Sequence, residues 1–70
     1  MDPNNADSYY ILGKIYQHKD MVDEALDNYK TALNFPHTNN NIYFNLGVMY
    51  EKKKDYKEAV HAYKQCLSID

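Results

Sequence analysis

The sequence repeats itself. Shifted by 34 residues, Tyr9, Leu12, Gly13 and Tyr16 fall on Tyr43, Leu46, Gly47 and Tyr50, and Glu24, Ala25, Tyr29 and Leu33 fall on Glu58, Ala59, Tyr63 and Leu67. Lys19 and Lys30 fall on Lys53 and Lys64. Apolar positions that differ exchange like for like: Ile15 with Met49, Leu26 with Val60, Ala32 with Cys66 and Phe35 with Ile69. A fixed period of this size marks an architecture in which one supersecondary unit recurs and buries an apolar face on its neighbour. The chain holds two such units.

The spacing inside each unit is helical. Tyr9, Leu12, Ile15 and Tyr16 keep one helix face apolar. After a break at Lys19-Asp20-Met21, the residues Val22, Ala25, Leu26, Tyr29, Ala32 and Leu33 resume at i, i+3, i+4 and i+7 intervals. The second copy runs Tyr43, Leu46, Met49, Tyr50, a short break, then Tyr56, Ala59, Val60, Tyr63, Cys66 and Leu67. No useful stretch alternates with period two, so strands are not expected. Asp2-Pro3-Asn4-Asn5 reads as a turn with polar caps ready, and Phe35-Pro36-His37-Thr38-Asn39-Asn40 as a loop. Asp55 with Glu58 reads as a capping box; Met21 stands at the matching place in the first unit, so Asp20 is expected to cap there and to leave the looser turn. The pattern predicts helices over about residues 6–18, 22–35, 40–53 and 56–69. The fold class is all-α: two antiparallel helix-turn-helix hairpins stacked as an α-solenoid, with residues 1–5 a turn, 6–39 the first repeat and 40–70 the second.

These residues resemble the tetratricopeptide repeat, in which an aromatic-x-x-Leu-Gly-x-x-Tyr stretch is followed by Ala-x-x-x-aromatic, a further small residue and a closing proline. Here the pattern stands as Tyr9, Leu12, Gly13, Tyr16, Ala25, Tyr29 and Ala32, then as Tyr43, Leu46, Gly47, Tyr50, Ala59, Tyr63 and Cys66. A helical glycine costs about 1 kcal/mol relative to alanine, so Gly13 and Gly47 call for a close helix approach, expected opposite Ala25 and Ala59. The family's usual tight-turn glycine is replaced by Asp20 and Lys54. Pro36 falls one residue before the expected closing position, where His37 stands; Pro3 falls in register, and the sequence stops at Asp70 just before the next. The segment therefore reads as two repeats without their neighbours.

Composition limits the functions open to it. A net charge of -2, with lysines and acids interspersed, gives no basic field for nucleic acid or an acidic membrane. No apolar run approaches the roughly 20 residues of a membrane span, and no signal-peptide pattern opens the sequence. The single cysteine cannot close an internal disulfide, which fits a reducing, cytoplasmic setting. Cys66 takes the small-residue place and is expected buried. His18, His37 and His61 lack the spacing of a metal site, and no phosphate loop or nucleophile motif occurs, so neither cofactor nor catalysis is expected. Lys52-Lys53-Lys54 reads as a solvated helix end.

In arrays of the resembled family, the first helices of successive hairpins line a concave groove that receives a peptide. Carried over position by position, the groove candidates are Asp7, Tyr10, Ile11, Lys14 and Gln17, then Asn41, Phe44, Asn45, Val48 and Glu51. Tyr10, Phe44, Ile11 and Val48 would form an apolar strip rimmed by charge, and Asn45 stands where an asparagine often bonds a bound peptide. The carboxylate clamp for a chaperone's acidic C-terminus is not expected, because Tyr10 and Lys14 stand where it needs Lys and Asn. The resemblance implies either a module that binds a protein or peptide, or repeats that only extend a scaffold. Because two uncapped repeats leave their end faces open, self-association is also expected, by end-to-end stacking or hairpin exchange through Tyr9, Ile15, Tyr63, Leu67 and Ile69.

Overall fold

The computed structural model describes residues 5–35 and 41–68. Four helices occupy them: α1 (Ala6–His18), α2 (Val22–Ala32), α3 (Asn41–Lys52) and α4 (Tyr56–Ser68), with no strand among the described residues. Helix α1 packs on α2, α3 on α4, and α2 on α3, so two hairpins stack into an all-α solenoid. Ile69, His37 and the proposed turns at 1–4 and 36–40 lie outside the described residues.

Local chemistry sets the helix ends. Asn5 is extended (φ -130°, ψ 166°), and its Oδ1 accepts the Ser8 N–H at 2.9 Å, which supplies one of the orphan donors of α1. At the other end of α1 the Met21 N–H donates to the Tyr16 carbonyl at 2.9 Å and the Asp20 N–H to that of Gln17 at 3.1 Å. The second hairpin repeats the turn, with Asp55 N–H on Tyr50 at 2.8 Å and Lys54 N–H on Glu51 at 2.9 Å. Both are Schellman turns, and the left-handed residue that glycine usually supplies is Asp20 (φ 59°) in one and Lys54 (φ 65°) in the other.

Two expectations are corrected here. Asp20 does not cap α2: the cap residue is Met21, without a side-chain cap bond, because Asp20 is already used as the left-handed turn residue. Helix α2 also ends at Ala32 rather than near residue 35. The amides of Leu33, Asn34 and Phe35 reach back only three residues, to Lys30, Thr31 and Ala32. That tightened last turn precedes Pro36, which disfavours a helical Phe35.

The core lies between the hairpins. Ala25, Leu26, Tyr29 and Ala32 of α2 meet Ile42, Leu46 and Met49 of α3, with Ala6 and Ala62 at the margins. The repeat partners of these residues are far less covered. Leu26 is 5% exposed and its counterpart Val60 52%; Met49 is 0% exposed and its counterpart Ile15 46%. Cys66, expected buried, is only partly so, whereas Ala32 at the same repeat position is fully enclosed. Nothing among the described residues stacks on α4 as α3 stacks on α2.

Candidate functional site

One arrangement of side chains occurs in both hairpins. In the first, the Tyr29 ring crosses α1 at Gly13, where an added Cβ would stand 2.6 Å from a ring carbon. The Tyr29 hydroxyl donates to Gln17 Oε1 at 2.6 Å, and the Tyr10 ring lies tilted against it at 5.9 Å. In the second, Tyr63 crosses Gly47 equally closely, donates to Glu51 Oε1 at 2.9 Å and carries Phe44 at 5.9 Å. The atoms nearest the missing Cβ of each glycine therefore belong to a tyrosine ring, which the motif alone did not imply. Burial, with the Tyr10 interaction second, raises the Tyr29 phenol above its ordinary value. Burial also raises Tyr63, helped by the bond to the Glu51 carboxylate.

Asn45 joins the hairpins on the α1/α3 side. It is 7% exposed, and its Nδ2 donates to the Asn41 carbonyl at 2.8 Å and to the Tyr10 hydroxyl at 3.3 Å. Lys14 reaches over the Tyr10 ring, Nζ 6.0 Å from its centre. Of the groove candidates, Tyr10, Lys14, Gln17 and Val48 are half-buried, whereas Asp7, Ile11, Asn41, Phe44 and Glu51 are exposed. Tyr10, Gln17 and Asn45 are thus partly used within the protein, while Phe44 and Ile11 present apolar surface outward.

Sequence reasoning missed two features. Lys52 and Lys53 do not simply end a helix in solvent: Lys52 Nζ lies 3.3 Å from Asp20 and Lys53 Nζ 2.7 Å from Asp23 across the hairpin junction. The hydrogen bond to Asp23 raises the Lys53 ammonium above its ordinary value. The second is a cleft of about 840 Å³ between α2 and α4, floored by Tyr43, Leu46 and Tyr50 and edged by Lys30, Lys57 and His61. No groove candidate lines it. Lys30 Nζ stands 5.8 Å from the Tyr50 ring centre there. Of the self-association candidates, Ile15 and Leu67 are exposed and Tyr9 and Tyr63 half-buried, with Phe35 stacked on Tyr9 at 5.5 Å. Among the described residues no three His, Cys, Asp or Glu side chains are placed to hold a metal, and no helix is long and apolar enough to cross a membrane.

Comparison with known proteins meets this geometry. Tetratricopeptide repeat family models match residues 1–27 and 41–70, and a TPR repeat model matches 22–54, so the matches overlap through both hairpins and the junction between them. The chain belongs to the tetratricopeptide repeat family. Its fold is similar to the crystal structure of MamA, with a TM-score of 0.91 and 29% sequence identity over 99% of this chain. The chain spans 40% of the MamA chain. No curated protein sequence matches it. Tetratricopeptide repeats are generally protein–protein interaction modules, and the fold is typically that of a non-catalytic scaffold.

Proposed function

We propose that this tetratricopeptide pair binds a segment of a partner protein on its α1/α3 face, with Ile11, Lys14, Phe44 and Val48 making contact. The observation that carries the reading is Phe44, 49% exposed despite its size. Ile11 is exposed on α1, and Asp7, Lys14 and Glu51 supply charge of both signs around an apolar centre, the usual anatomy of a binding surface. Tyr10 and Asn45 hold the two helices in register, while Gln17 and Asn41 stand at the margins. Peptides selected from a random display library on the immobilised chain, then titrated into isotope-labelled protein, should shift the amides of Ile11, Lys14, Phe44 and Val48. Phe44→Ala should weaken that binding by about tenfold. Shifts confined to Leu33, Val60 and His61 would place binding in the α2/α4 cleft and end this reading. Repeats that serve only to extend a scaffold would select no peptide.

The end faces support a second reading. Leu12 and Ile15 on α1, and Val60 and Leu67 on α4, are exposed where their repeat counterparts form the hairpin junction. These faces suit an added helix. Another copy of the chain, stacked end to end or exchanging a hairpin, fits these faces, and so does a helix of other sequence.

A further inference from the structure

The hairpin junction is a template for whatever docks on α4. At the junction, Val22, Leu26, Tyr29 and Leu33 of the first hairpin are half-buried or buried. Their counterparts Tyr56, Val60 and Leu67 are exposed and Tyr63 is half-buried, an apolar stripe of the same helical spacing. Lys30 stands over the α3 ring of Tyr50, and its counterpart is Lys64. In shape, then, the α1 of another copy would serve, bringing Leu12, Ile15 and Tyr16 where α3 brings Leu46, Met49 and Tyr50.

Charge separates the two cases. The junction is closed by Asp20 with Lys52 and Asp23 with Lys53. Moved on by one repeat, the two acids become Lys54 and Lys57; moved back by one repeat, the two lysines become His18 and Lys19. A second copy stacked on α4 would therefore set His18 and Lys19 against Lys54 and Lys57. The acids at this end, Asp55 and Glu58, correspond to Met21 and Glu24, neither of which pairs with α3 in either junction salt bridge.

We infer that the open α4 face takes an amphipathic helix carrying acidic residues in its last turn, and disfavours a second copy of this chain. The inference rests on the end-face reading above and adds the partner's charge to it. Opposed charges set partner choice and register, and like charges suppress wrong pairings.

Sedimentation of the full chain tests it, since His18, Lys19, Lys54 and Lys57 are all exposed and replaceable without touching the core. His18→Glu with Lys19→Glu should convert the chain into one that self-associates about tenfold more tightly than the native chain at low salt, with the gap closing as salt screens it. Adding Lys54→Glu and Lys57→Glu should remove the gain. Native chain that stacks as tightly as the doubly substituted one, or a gain that survives the additional substitutions, would overturn the charge rule while leaving the end-face reading intact. If the His18→Glu, Lys19→Glu chain stays monomeric at every concentration and salt, the end face itself does not dock a helix, and both readings fall.

Discussion

Tyr29 and Gly13 show how one residue pair fixes the distance between helices. The ring fills the space a Cβ would need, so Gly13→Ala gains about 1 kcal/mol of helix propensity but must displace a ring that is fully enclosed. Thermal or urea unfolding should show a net loss of about 1–2 kcal/mol for Gly13→Ala and almost none for Gly47→Ala. The difference arises because Tyr63 is half-exposed and can swing aside. The Tyr29 phenol carries a pH signature as well. Its folded-state value lies above the ordinary 10.0, so above pH 10 the unfolded chain releases a proton that the folded chain retains. Stability should be full below pH 10 and fall as pH rises past it. Tyr29→Phe should flatten that alkaline decline while costing about 1 kcal/mol at neutral pH through the lost bond to Gln17. That the glycines needed a close neighbour was legible in the sequence, because glycine inside a helical pattern has to be compensated. That a tyrosine ring comes nearest was not, because the motif gives spacing along each helix and not the offset between helices.

Helices and their turns were the most legible scale. Periodicity alone places the four helices, since each keeps an apolar face at 3.6-residue spacing over about two turns or more. The exception is the end of α2, where the proline's effect reaches further back than the apolar pattern does. The two left-handed turn residues were visible as departures from the family's glycine, and they carry a direct expectation. Lys54→Gly should raise stability by about 0.5–1 kcal/mol by relieving a positive φ. Asp20→Gly should gain less, because it also removes the contact with Lys52. Equal gains in chemical denaturation would mean that the Asp20–Lys52 pair contributes nothing. That pair and Asp23–Lys53 were hidden from sequence reasoning for a definite reason. A repeat shows what recurs, and these pairs depend on Asp20, Asp23 and Lys52, where the two copies differ.

Across the whole molecule, two copies that are nearly equivalent in sequence are unequal in burial. Leu26, Tyr29 and Ala32 are enclosed because α3 stacks on them; Val60, Tyr63 and Cys66 hold the same repeat positions without that cover. The proposed docking on α4 follows from this inequality, since the surface that completes one hairpin is uncovered, among the described residues, on the next. Local openings of α4 should therefore cost less than those of α2, although both helices are intact. Native-state hydrogen exchange, followed amide by amide in the full chain, measures this directly. The account predicts that the α2 amides around Leu26 and Tyr29 exchange only through the largest openings, while those around Val60 and Tyr63 exchange faster through smaller ones. Equal protection of the two helices would contradict it.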